Sequence, residues 1–219
     1  MSVAQTLRQL LIVGGGGHAR VVLEAAQLEG HETTGVLDDH ENPSLCEDVN
    51  APERVGPIDE LVERTRRGES FILAVGSVWL RRQIIDAITR AEVDPSAAST
   101  VIHPRAIVSP EAHLGPGVFV GPGAVVNPGA RVGAHAILNS GCIVEHDAII
   151  DDNAHIAPGA VLGGGARVGQ DALVGLGACV LPGIRVGAGA IVGAGGVVVR
   201  EAPVGRRVVG VPAAVTERV

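Results

Sequence analysis

The chain has no tyrosine and no lysine, and only two phenylalanines, one tryptophan and one methionine in 219 residues. Hydrophobic residues nevertheless make up 46% of it, so its core is built from small and branched aliphatics rather than aromatic rings. The missing lysines, dispersed arginines and net charge of -7 leave no basic stripe, which excludes nucleic acid as the expected partner and favours small molecules. The three cysteines, Cys46, Cys142 and Cys179, are scattered and odd in number, which excludes a disulfide framework and a C-x-x-C zinc site and leaves buried free thiols. Long apolar runs are missing too. Charges, Pro or Gly interrupt each run before the roughly 18 to 20 residues that a membrane span needs. The opening "MSVAQTLRQLLIVGGGG" ends in glycines rather than a cleavage site, so the expected compartment is the cytoplasm.

What the chain does have is glycine, 31 residues of it, and a repeat. Read in sixes from Val101, it runs VIHPRA, IVSPEA, HLGPGV and onward to VVVREA at Ala202, seventeen units without a slip. The second position of each unit is aliphatic and the sixth is nearly always small. This buries one aliphatic per short strand and places small residues at tight corners, with Gly, Asn or Asp supplying the turn angles. The expected structure is a solenoid of parallel β-strands, three per triangular coil of eighteen residues and about six coils in all.

Residues 1–98 follow different rules. "LLIVGGGGHARVVLEAAQLEG" reads as strand, glycine turn and amphipathic helix; "HETTGVLDD" as a strand; "PIDELVERTRRG" as a helix; "SFILAVGS" as a strand; and "VWLRRQIIDAITRAEV" as a helix. Alternation of this kind predicts a small Rossmann-like parallel α/β layer. "DPSAAST" marks the joint, so the expected domains are 1–98, α/β, and 99–219, the β-solenoid.

Gly14 to Ala19 fits G-x-G-x-x-A after a strand, and Asp38 and Asp39 close the next strand about twenty residues on. The helix start is then ready for a phosphate. One mononucleotide half is present where a dinucleotide fold needs two, so a nucleotide sugar suits the domain better than NAD. His18, at the helix start, is a candidate donor or stacking ring; the alternative is a surface cap.

Within the solenoid, IVEHDA brings Glu145, His146 and Asp147 together, HIAPGA opens on His155, and Asn139 lies seven residues before His146. An imidazole whose pKa is near 6.5 suits a general base at neutral pH. Nine residues is half a coil, so His146 and His155 of one chain stand on different sides of the prism, roughly 15 Å or more apart at ~3.3 Å per residue. A closed trimer that sets one chain's side against another's would reunite them. Neither Cys142 nor Cys179 is paired with a histidine, which favours direct transfer over an acyl-enzyme.

The unbroken repeat, "IVGGGGHAR" with "LDD", "AVGS" before a helix, "NSGCIVEHD" with "HIAPGA", "LVGLGACVLPG" and the closing "VVGVPAAV" together resemble the NeuD/PglD-type sugar O- or N-acyltransferases over nearly the whole chain. The resemblance implies a left-handed parallel β-helix, against the right-handed habit of ordinary crossovers. It also implies a homotrimer, acetyl-CoA as donor with no metal, and a nucleotide-linked amino sugar as acceptor. By position, His146 would be the general base and Asp147 would raise its basicity; the best-known amino-sugar members carry Glu there, one methylene longer. His155 would donate toward the thioester carbonyl, with Gly164, Leu176 and Ala194 lining the coenzyme channel. Asn139 would contact the acceptor, and His18, Ala19, Arg20, Asp38, Asp39 and Gly76 would match the nucleotide-sugar contacts.

The acceptor expected is an amino sugar on UDP, GDP or TDP, the alternative being a sugar or sialic acid hydroxyl. From other classes, a zinc carbonic-anhydrase-like solenoid would need His135, His146 and His155 as ligands, yet these are eleven and nine residues apart. A flat threonine face for ice binding is absent, and an NAD-binding regulator rests on the glycine loop alone.

Overall fold

A computed structural model of the chain describes residues 8–47 and 51–218. The segment ahead of residue 8, part of the stretch read as having no leader, lies outside the described residues. The N-terminal part contains β1 (Arg8–Val13), α1 (Gly17–Glu29), β2 (His31–Leu37), β3 (Arg54–Gly56), α2 (Leu61–Arg66), β4 (Phe71–Leu73) and α3 (Val78–Arg90). The four strands form a parallel sheet in the order β3-β2-β1-β4, with the switch of direction between β1 and β4. Leu10, Leu11, Ile12 and Val13 are all fully buried because helices cover both faces of β1. Leu10 and Ile12 pack with Val22 and Ala26 of α1, and Leu11 and Val13 with Ile84 and Ile88 of α3. Of the four strands in this part, β3 has no sequence signal; its three residues carry no alternation long enough to show one.

The expected joint at 94–100 is pinned rather than loose. Asp94 caps a short 3-10 turn at Pro95–Ala97, Ser99 N–H donates to the Phe71 carbonyl at 2.8 Å, and Thr100 Oγ1 donates to the Gly115 carbonyl at 2.9 Å.

From Val101 to Val198 a two-residue strand recurs every six residues, and each pairs in parallel with the strand eighteen residues away. Three sheets result, wrapped into a prism. The chain folds as a left-handed β-helix behind a Rossmann-like domain. The second-position aliphatics and the sixth-position small residues, Val120, Leu138, Ala136 and Ala154 among them, form one core along its axis. Each such aliphatic contributes about 1.5–3 kcal/mol when fully buried. From Gly117 to Gly195 the fifth position of every unit has positive φ; Gly fills most of these, and His135, Asp147, Asn153 and Asp171 the rest. Left-handed backbone favours Gly and tolerates Asn, Asp and His, which is why the polar residues appear at these corners. The coil closes with an antiparallel hairpin, β22 (Arg206–Gly210) and β23 (Ala213–Arg218), in place of further hexapeptides.

The three faces differ in their outward first positions. On the covered sheet, Val101, Phe119 and Ile137 are buried beneath α1. The charged sheet presents His113, Arg131, Ile149, Arg167 and Arg185. The apolar sheet presents Ile107, Val125, Ile143, Val161, Cys179 and Val197, and Ile107 is 67% exposed.

Candidate active site

The glycine loop is shaped by its neighbours. At Gly14, φ is 100° and a Cβ would stand 2.7 Å from Val75 Cγ2, so only glycine lets β1 end this close to β4. Gly15 N–H donates to Asp38 Oδ2 at 2.6 Å and His40 N–H to Asp38 Oδ1 at 2.8 Å, which commits both oxygens of this buried carboxylate to the fold. Asp39 is exposed and accepts from Ile58 N–H at 3.0 Å. Arg20 reaches back to the Ser44 carbonyl at 2.7 Å, and the Ala19 side chain is buried in the α1 core. Gly16 and Gly17 open α1 with free space above them. A helix start of this kind offers its first-turn backbone N–H groups to an anion such as phosphate.

Four of the residues singled out from sequence, His18, Gly76, Asn139 and His155, meet where the start of α1 and the loop after β4 touch the solenoid. His155 Nδ1 lies 3.2 Å from the Gly76 carbonyl, and a carbonyl can only accept, so Nδ1 carries the proton. Asn139 accepts from Ser140 N–H at Oδ1, 2.8 Å, which turns its Nδ2 toward His155 Nε2 at 3.3 Å. His18 stands edge-on to Phe119 with centroids 5.3 Å apart, and 6.4 Å from the His155 ring. Burial first, and then the charge of Arg81, push both His18 and His155 down to about 4. Both rings are neutral at pH 7.

His146 is elsewhere, on the exposed corner between the apolar and charged sheets. Its Nδ1 donates to Asp147 Oδ2 at 2.9 Å, so the shorter carboxylate reaches the ring from the adjacent residue. The hydrogen bond that Asp147 accepts is the main cause that raises the His146 pKa above 6.5, helped by the charges of Asp147 and Glu145. Nε2 is left as the basic atom, and it lies over Gly164 of the next coil, where a Cβ would stand 2.5 Å away. Leu176 and Ala194 are exposed and stacked one coil apart, on the other edge of the apolar sheet.

Phe119, Arg81, Asn153 and Asp171 belong to the same surroundings and were not singled out from sequence. Arg81 had a signal: it shares the α3 stripe of Ile84, Ile85 and Ile88, where an arginine is out of place.

Residues 9–88 match the family described as PglD N-terminal domain, and residues 129–164 that described as bacterial transferase hexapeptide (six repeats). A perosamine N-acetyltransferase from Caulobacter crescentus, solved as a histidine variant with CoA and GDP-perosamine, is 34% identical, with 99% of this chain and 100% of that chain covered and a TM-score of 0.86. The chain belongs to the NeuD/PglD-type sugar acyltransferases. The acetyltransferase domain of PglB from Neisseria gonorrhoeae FA1090, in complex with acetyl coenzyme A, is likewise 34% identical, with 96% and 100% covered and a TM-score of 0.85. WeeI from Acinetobacter baumannii AYE shares the fold at 22% identity, 94% and 99% coverage and a TM-score of 0.81. A search of curated proteins finds no match. Membership sets the zinc alternative aside. Among the described residues no group of three His, Cys, Asp or Glu is placed to hold a metal ion, and His135 is buried and stacked on Phe71. No helix among the described residues is long and apolar enough to cross a membrane.

Proposed function

We propose that this acyltransferase moves the acetyl group of acetyl-CoA to the amino group of a nucleotide-linked amino sugar, with His146 as general base. The observation that carries the reading is the His146–Asp147 pair. A hydrogen bond to Nδ1 fixes the tautomer and leaves a basic Nε2 facing Gly164, where the resemblance puts the coenzyme channel. As the acceptor nitrogen attacks the thioester carbonyl, a proton passes from nitrogen to Nε2; the tetrahedral intermediate then collapses to the amide, the C–S bond breaks, and that proton passes on to the departing CoA sulfur, which leaves as the thiol. The open start of α1, with Gly76, His18 and Asn139 around it, provides for the nucleotide sugar. Relatives solved with CoA, acetyl coenzyme A and GDP-perosamine support the substrate classes.

The active assembly is a homotrimer with its sites between subunits. The support is the apolar sheet, whose six outward positions are all apolar, Ile107 exposed and the other five half-buried in the single chain. One of its edges carries His146 and Gly164; the other carries Asn139, Leu176 and Ala194. With this face turned to a three-fold axis, one edge of each subunit meets the opposite edge of the next.

The test is thiol release from acetyl-CoA with a panel of 3-amino and 4-amino nucleotide sugars and free sialic acid, beside His146→Ala. Turnover with an amino sugar that collapses in the variant is expected. Release with hydroxyl acceptors alone would replace the N-acetyl reading.

A further inference from the structure

Arg81 is completely buried, in the stripe of α3 that otherwise carries isoleucines. A guanidinium in such a place costs several kcal/mol unless its donors are met, and an apolar residue of similar size is often as stable or more so. Its partners are three carbonyls. Nη1 donates to Val75 O at 2.8 Å and, at longer range, to Gly76 O at 3.4 Å; Nη2 crosses to the solenoid and donates to Asn153 O at 2.9 Å. Asp171, the carboxylate whose charge reaches the guanidinium, accepts at Oδ1 from Arg82 Nε at 2.8 Å and from Asn153 Nδ2 at 2.7 Å. Asn153 Nδ2 also donates to Val78 O at 3.0 Å, so the loop from β4 to α3 is tied to the coil at Gly76 and again where α3 begins.

We infer that Arg81 is a positioning residue of the active site: by holding the Gly76 carbonyl over His155, it commits that ring to the Nδ1–H tautomer and leaves Nε2 as an acceptor for Asn139. The chain of bonds runs from Arg81 through Gly76 and His155 to Asn139, and the last of these is turned by Ser140. His155 then has no proton to offer from Nε2, so donation toward a thioester carbonyl falls to other groups and proton transfer to His146 alone. The charges and titratable groups around the guanidinium are Arg82 and Asp171 beside it, with His18, His135 and His155 beyond. A second proton on His155 is opposed by burial, by Arg81 and by His18.

The kinetic arm of the test rests on the acyltransferase reading; the tautomer arm does not. Imidazole ¹⁵N shifts of His155, followed through a pH titration in the full-length protein, should show one Nδ1-protonated tautomer that stays neutral below pH ~5. In Arg81→Met the ring should populate both tautomers and titrate closer to 6.5, with kcat down ~10- to 100-fold as the site loosens and KM less affected. Arg81→Lys, which keeps the charge and one donor, should recover part of the loss. A folded Arg81→Met protein with an unchanged tautomer and pH profile overturns the inference. Should Arg81→Met not fold, His155→Asn and His155→Gln decide. Asn places an amide N–H where Nδ1–H stands and should retain more activity than Gln; equal or reversed activities overturn it.

Discussion

The imidazole of His146 lies against Gly164, the residue one full coil later, with no room for a side chain between them. Gly164 does not sit in left-handed backbone, so Gly164→Ala meets no conformational obstacle of its own. The added methyl must turn the ring off the corner and away from Asp147. We expect kcat to fall toward that of His146→Ala, a loss of ~10² to 10⁴, while thermal unfolding hardly moves. Wild-type turnover in Gly164→Ala would show that the ring is not needed where it stands.

Asp147 sets the pH at which His146 becomes available. Because the pair raises the histidine pKa above 6.5, activity should climb with pH along a limb centred above that value. In Asp147→Asn the raising contribution disappears. The limb should then move to lower pH even as the plateau rate drops, since the ring loses its orienting partner. A pH profile of kcat/KM for both proteins measures this directly, and an unmoved limb would mean that another group controls it.

The apolar sheet makes assembly testable. Ile143→Glu puts a carboxylate in the middle of that face, and sedimentation should show monomers with no transferase activity. Mixing subunits is sharper. His146→Ala and Asn139→Ala proteins, each inactive, should recover activity when unfolded and refolded together. In random trimers about one quarter of the clefts pair an intact edge with an intact edge. No recovery would place both residues in a site within one chain.

Buried histidines predict acid sensitivity. His18, His135 and His155 are each held near 4, chiefly by burial. Their folded-state values lie below the unfolded 6.5, so between these limits the unfolded chain binds more protons and stability rises with pH. The contribution is whole above pH 6.5 and is lost as pH falls through about 4. It is on the order of 3 kcal/mol per ring, less where His18 and His155 titrate together. Chemical denaturation at pH 7.5, 6 and 5 should show the decline, and His135→Gln should make it shallower.

The solenoid was legible residue by residue, because its physics is local. An aliphatic at the second position and a small residue at the sixth are demanded by each strand and corner separately, and the eighteen-residue register follows from counting. The glycine loop was legible too, although the role of Asp38 was not. A carboxylate at the end of a strand looks the same whether it faces a ribose or the Gly15 N–H, and only the folded distance of 2.6 Å separates the two. β3 was invisible because three residues carry no period.

By itself the sequence determined two domains, a hexapeptide frame and the adjacent pair His146 and Asp147, since each depends on neighbours along the chain. Tertiary structure decided which histidine stays exposed and basic and which are buried and neutral. Desolvation and the charge of Arg81, which for His155 comes from a helix more than seventy residues away, act through space. No spacing along the chain records that distance.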